Sequence, residues 1–132
     1  MVVDYDFILQ NVSSPKKSTI LDARSPGRFR GVDPEPRPDL PSGHMPYSQN
    51  FFFVKCLDRE SKVLKDPASL KSLFEESGID LRQPLVTTCG SGVTAALILF
   101  ASFVAGKGDT KLYDGSWTEF VQRASPEMIL KS

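Results

Sequence analysis

Tyr5, Ile8 and Val12 recur at three- and four-residue spacing, which predicts a short amphipathic helix at the start of the chain. Thr19-Ile20-Leu21-Asp22-Ala23 is a brief apolar run and reads as a buried strand. Arg24 to Gly31 carries three arginines. Pro34, Pro36, Pro38, Pro41 and Pro46 then predict an extended loop, because each proline removes a backbone donor that a helix or central strand needs. Asn50-Phe51-Phe52-Phe53-Val54 is apolar but too short to type by period. Asp66-Pro67 marks a helix start: the Asp side chain caps free amides, and Pro in the first turn needs no donor. Leu70, Leu73 and Phe74 mark the inner face of that helix, and Gly78 closes it. Pro84 to Thr88 reads as a second buried strand. Val93 to Ala105 is almost wholly apolar and predicts a helix buried on most sides. Lys111-Leu112-Tyr113 reads as a third strand, and Trp117, Phe120 and Val121 as the face of a last helix. Strands alternating with helices predict an α/β domain with a mostly parallel sheet.

Composition narrows this picture. The 132 residues suit one globular domain, and 40% of them are hydrophobic, enough for a core. Lys plus Arg and Asp plus Glu each number 16. That balance argues against direct nucleic-acid binding through bulk positive charge and against a polybasic membrane anchor. No run is long enough to span a membrane, and the first ten residues lack the pattern of a secretory signal. Two cysteines and one histidine make neither a disulfide framework nor a Cys/His zinc cluster, so no metal site is expected.

The stretch Val86 to Ala96, VTTCGSGVTAA, is where chemistry is expected. A buried strand delivers Cys89 to its carboxyl end, where open α/β sheets place ligands. Gly90 and Gly92 let the backbone curl so that successive amides point inward, and the following helix adds the positive end of its dipole. Both effects favour thiolate over thiol and make Cys89 a nucleophile. A polar glycine-rich turn is also a poor place to bury a thiol. Cys56 has no such turn and reads as core. Arg28 and Arg37 have the planar fork that suits a carboxylate, although surface charge is the simpler reading of either alone. Arg24 reads as a structural partner for a nearby carboxylate or carbonyl.

Several of these segments together resemble the rhodanese superfamily, and within it the 3-mercaptopyruvate sulfurtransferases. Cys89-Gly90-Ser91-Gly92-Val93-Thr94 is similar to their active-site loop. Asp22-Ala23-Arg24 resembles the family's strand end, and Gly27 to Gly31 with Glu35-Pro36-Arg37 resembles its substrate-arginine region. Gly43-His44-Met45-Pro46 with Asn50 resembles the "GHIPGAxN" turn, which makes His44 structural. Tyr113-Asp114-Gly115-Ser116-Trp117 resembles the signature near the domain's end. The resemblance implies a rhodanese-like fold over residues 1–132, forming the C-terminal half of a tandem protein with an N-terminal rhodanese domain as partner. It implies Cys89 and Ser91 as catalytic residues, and Arg28, Arg37, Gly90, Gly92, Val93 and Thr94 as substrate-binding.

The implied reaction takes sulfur from 3-mercaptopyruvate through a cysteine persulfide to a thiol acceptor, such as thioredoxin or a sulfur-relay protein, and needs no cofactor. Relays of this kind include tRNA thiolation, in cytosol or mitochondrion. Ser91 works in the family with His and Asp from a preceding domain. Thiosulfate-specific relatives tend to carry Arg and Lys where Gly90 and Ser91 stand, so the uncharged pair favours mercaptopyruvate. A non-catalytic docking module is a third reading, disfavoured by an intact Cys89. Cysteine phosphatases of related fold need an arginine at the position of Ala95.

Overall fold

The computed structural model describes residues 2–13, 18–36, 39–89 and 93–131, with only the backbone of Val93. Five strands form one sheet: β1 (Val2–Val3), β2 (Thr19–Asp22), β3 (Ser48–Asn50), β4 (Leu85–Thr88) and β5 (Lys111–Tyr113). Their spatial order is β1-β5-β4-β2-β3, and every pairing is parallel. Five helices connect them: α1 (Tyr5–Val12), α2 (Pro26–Arg30), α3 (Pro67–Glu76), α4 (Val93–Val104) and α5 (Ser116–Arg123). Single 3₁₀ turns occupy Phe53–Cys56 and Pro126–Met128. The expected α/β class with a parallel sheet is the observed one.

Local chemistry accounts for most element ends. Asp4 caps α1 by accepting from the Phe7 amide at 3.0 Å, and Asp66 caps α3 by accepting from the Ser69 amide at 2.8 Å. Gly78 follows α3 with φ +79°, a left-handed turn that suits glycine. β4 lies between β5 and β2, so all four of its residues are buried. Alternation along the strands divides the core in two. Leu21 and Leu85 face α3 and α4 in a cluster with Phe51, Leu70, Phe74 and Ile98. Ile20 and Val86 face α1 and α5 with Ile8, Tyr113, Trp117 and Phe120. Phe51 and Phe74 stack with ring centres 4.9 Å apart.

Four elements differ from the sequence reading, the first being β1, the short strand Val2–Val3 ahead of the expected first helix. Residues 26–30 form α2 within the arginine segment, started by Pro26 and closed by Gly31 at φ +82°. The strand near the phenylalanine run is Ser48–Asn50; the run itself turns into the 3₁₀ segment. The apolar helix α4 is not buried on most sides: Phe100 and Phe103 are 55% and 61% exposed. Ala95, Ile98 and Ala101 face the core at helical spacing, which turns Phe100 and Phe103 outward. Among the described residues no helix is long and apolar enough to cross a membrane.

Candidate active site

Parallel strands gather their carboxyl ends at one edge, and the candidate residues collect there. Cys89 follows β4 immediately. Its carbonyl accepts from the Trp117 amide at 2.8 Å, and its own amide donates to Ser116 Oγ at 3.2 Å. The start of α5 therefore holds the cysteine's backbone from the neighbouring strand β5. Ser116 Oγ also lies 4.0 Å from Cys89 Sγ. The thiol is 1% exposed, which corrects the expectation that the glycine-rich turn keeps it from burial. Cys89 belongs to the strand end rather than the turn, and it packs in the apolar cluster with Ala23, Ala95 and Ile98.

Next to β4, the end of β2 carries Asp22, Ala23 and Arg24. The Ala23 amide donates to the Thr88 carbonyl at 2.8 Å, tying this segment to the end of β4. Arg24 is buried. Its Nε and Nη2 donate to Asp22 at 2.6 to 3.2 Å, its Nη1 to Glu35 Oε2 at 3.1 Å, and its Nη2 to the Gly43 carbonyl at 2.5 Å. The guanidinium lies 4.6 Å from the centre of the Trp117 ring. Arg24 is thus a structural hub, as its partners' chemistry suggested. Asn50, at the end of β3, donates to the Asp22 and Arg24 carbonyls at 3.1 and 2.8 Å and ties a third strand end to the site.

Arg28 sits on α2 with its side chain 25% exposed. It donates from Nε to Glu35 Oε2 at 3.0 Å and from Nη2 to Glu35 Oε1 at 2.7 Å. Glu35 thereby bridges Arg24 and Arg28. The hydrogen bond to Glu35 holds the Arg28 guanidinium above its ordinary value. Burial opposes it, and the charges of Glu35, Asp22 and Cys89 add to it. The arginine segment is not bare positive charge: Asp22 and Glu35 neutralise Arg24 and Arg28 within it.

The backbone of α2 is pinned from below. Gly43 donates to the Arg28 carbonyl at 3.0 Å, and His44 Nδ1 lies 2.8 Å from the Phe29 carbonyl. The His44 ring stacks on Phe29 at 4.1 Å, and His44 exchanges backbone hydrogen bonds with Leu130. His44 is committed to structure, in keeping with its turn motif.

Of the residues named from sequence, Cys89 and Arg28 share this edge, and Thr94 lies half-buried in the first turn of α4. Val93 opens that helix. Gly90, Ser91, Gly92 and Arg37 lie outside the described residues. Ala95 is fully buried and supplies no guanidinium. Sequence reasoning missed Glu35 and Ser116 as site residues. Both stood inside quoted motifs, Glu-Pro-Arg and Tyr-Asp-Gly-Ser-Trp, and that membership was the only signal.

A cysteine at the carboxyl edge of a five-stranded parallel sheet, braced by the junction that follows the next strand, defines a rhodanese-type α/β domain. The model of the rhodanese-like domain family matches residues 7–123, and the chain belongs to that family. It is 44% identical to 3-mercaptopyruvate sulfurtransferase of Mus musculus over 126 residues, which is 96% of this chain and 42% of the relative. It is 42% identical to thiosulfate sulfurtransferase of Rattus norvegicus over 124 residues, covering 93% of this chain and 41% of that one. The crystal structure of Tum1 protein from Saccharomyces cerevisiae superposes with a TM-score of 0.89 at 39% identity, covering 98% of this chain and 46% of that one. The chain spans less than half the length of the curated relatives it matches.

Proposed function

We propose that this chain is the cysteine-bearing half of a two-domain sulfurtransferase that takes sulfur from 3-mercaptopyruvate. The observation that carries the reading is Cys89 at the end of the central strand, with its backbone held by α5 and with Arg28 joined through Glu35 to Arg24 at the end of the neighbouring strand. The 44% identity to a mercaptopyruvate enzyme supports the donor. The Cys89 thiolate attacks the donor's thiol sulfur. The sulfur–carbon bond breaks, and its electron pair leaves on carbon as the pyruvate enolate, which takes a proton to give pyruvate. Cys89 keeps the sulfur as a persulfide, and the outer sulfur passes to a second thiol. Arg28 and Arg37 orient the donor's carboxylate so that its sulfur faces Cys89. A carboxylate arriving at Arg28 shares the guanidinium with Glu35 or displaces it.

Ser91 donates to the substrate, and the backbone amides of Gly90, Gly92, Val93 and Thr94 hold the sulfur anion. The acceptor is a thiol of thioredoxin type or a cysteine of a sulfur-relay protein, in the cytosol or the mitochondrion. An N-terminal rhodanese domain completes the cleft. Thiosulfate is the second donor to consider, because of the 42% identity to a thiosulfate enzyme.

Incubation with 3-mercaptopyruvate, followed by intact mass, tests the reading. The wild type is expected to gain one sulfur atom with pyruvate released, and Cys89→Ser to gain none. The measurement is made on the chain alone and joined to an N-terminal rhodanese domain, with thiosulfate in parallel. No mass gain from either donor in either form rejects the reading in favour of a docking module. A gain from thiosulfate alone reassigns the donor.

A further inference from the structure

Ser116 has φ +55°, in the left-handed region, and is fully buried. A residue with a Cβ pays about 1 kcal/mol or more for that conformation, and glycine does not. The glycine of this turn is Gly115, next door, in ordinary helical backbone at φ −60°. A Cβ at Gly115 would meet the Glu119 carboxylate, the group that accepts from the Tyr113 hydroxyl at 2.6 Å. Crowding therefore explains Gly115. Nothing about space or backbone explains a serine at 116, so the explanation has to lie in its hydroxyl.

That hydroxyl has one proton and two lone pairs. One lone pair takes the Cys89 amide at 3.2 Å. The proton points to the Tyr113 carbonyl at 2.8 Å, while Cys89 Sγ waits at 4.0 Å, the outer limit for a bond to sulfur. A neutral thiol gains little from a donor there. A sulfur anion gains more, because a hydrogen bond to a charged acceptor is about twice as strong as one between neutral groups. We propose that Ser116 is a positioning residue for the reactive sulfur. When Cys89 is a thiolate or persulfide anion, the Ser116 proton turns from the Tyr113 carbonyl to Sγ. The oxygen keeps the Cys89 amide throughout. The donor comes from the β5–α5 junction, separate from the amides of the turn that follows Cys89. No bond is made or broken; one neutral hydrogen bond is exchanged for one to an anion.

This rests on the reading of Cys89 as a nucleophile, and its test needs no sulfur donor. The rate at which iodoacetamide alkylates Cys89 is followed by peptide mass from mildly acidic to alkaline pH, in the wild type, Ser116→Ala and Ser116→Gly. Both variants lose the donor. Both also leave the buried Cys89 amide without its acceptor, and Ser116→Gly relieves the backbone, so the unfolding midpoint is expected to fall in both and less in Ser116→Gly. The expected result is a profile moved to higher pH in both, with alkylation at neutral pH slowed about threefold to tenfold, where tenfold corresponds to one pH unit. A merely structural serine would change the unfolding midpoint and leave the profile in place. A Ser116→Gly profile that superimposes on the wild type overturns the proposal. If Ser116→Ala does not fold, Ser116→Gly decides alone. Failure of mercaptopyruvate as donor would reject the donor assignment and leave this test standing.

Discussion

Cys56 and Cys89 pack in the same apolar cluster, and both are buried to 1% exposure or less. Burial therefore does not separate the cysteine proposed as nucleophile from the one read as core. Their surroundings do. Cys56 ends a 3₁₀ turn among apolar side chains, and burial pushes its thiol up to about 11 from an ordinary 9.0, with a small opposing effect of Lys65. Cys89 follows a central strand, and the Ser116 hydroxyl accepts from its amide and lies 4.0 Å from its sulfur. One site stabilises a neutral sulfur by removing water. The other places a hydroxyl beside the sulfur and its backbone amide.

The largest expected effect comes from breaking the polar side of this contrast. Glu35→Ala removes the carboxylate shared by Arg24 and Arg28 and leaves Asp22 paired with Arg24. Removing one partner of a buried ion pair typically costs about 3–5 kcal/mol, and because Asp22 remains, the lower end is expected in urea unfolding. A loss below about 1 kcal/mol would mean that this network is no more structural than a surface pair.

The apolar side is tested by pH. The unfolded chain ionises Cys56 near its ordinary value, and the folded chain resists until about 11. The stability contributed is therefore complete below about pH 9 and is lost as pH rises toward 11. Two pH units correspond to about 3 kcal/mol. Cys56→Ala should flatten the decline of stability between these limits while leaving sulfur loading at Cys89 intact. An unchanged slope would place Cys56 in contact with water. The smallest effect concerns substrate charge. Arg37→Ala should raise KM for mercaptopyruvate about tenfold, the loss of roughly one hydrogen bond to a charged group, and leave loading from a neutral persulfide donor unchanged. Equal effects on both donors would count against a carboxylate clamp.

Periodicity and caps made much of this fold legible. α1, α3 and α5 follow their apolar spacing, and β2, β4 and β5 follow their runs. What escaped depends on tertiary neighbours. β1 is two valines whose strand character comes from pairing with Leu112 and Tyr113. β3 is the polar Ser48-Gln49-Asn50, a strand because it aligns with Ile20 to Asp22. α4 is apolar all round, yet it meets the core along Ala95, Ile98 and Ala101, so composition overstated its burial. In the site, Cys89 and Arg28 were legible because glycine spacing and the forked guanidinium signal chemistry locally. Glu35 acts by joining two arginines, and Ser116 through an unusual φ and an approach from a neighbouring strand. Neither property is written in residue type.

The topology also sets an order in which the site can be assembled. Cys89 and Ser116 are 27 residues apart, joined by the β4–α4–β5 crossover. The bond from the Trp117 indole to the Pro41 carbonyl, which brings the arginine loop against α5, closes a span of 76 residues. Closing a longer loop costs more chain entropy, and contacts distant in sequence form more slowly. Cys89 and its hydroxyl partner belong to a compact segment that can form early. The charged network that frames them waits for the N-terminal third of the chain to dock. The cysteine is therefore held across a shorter span than the arginine network, and damage to the docking region should loosen that network while leaving Cys89 held by Ser116.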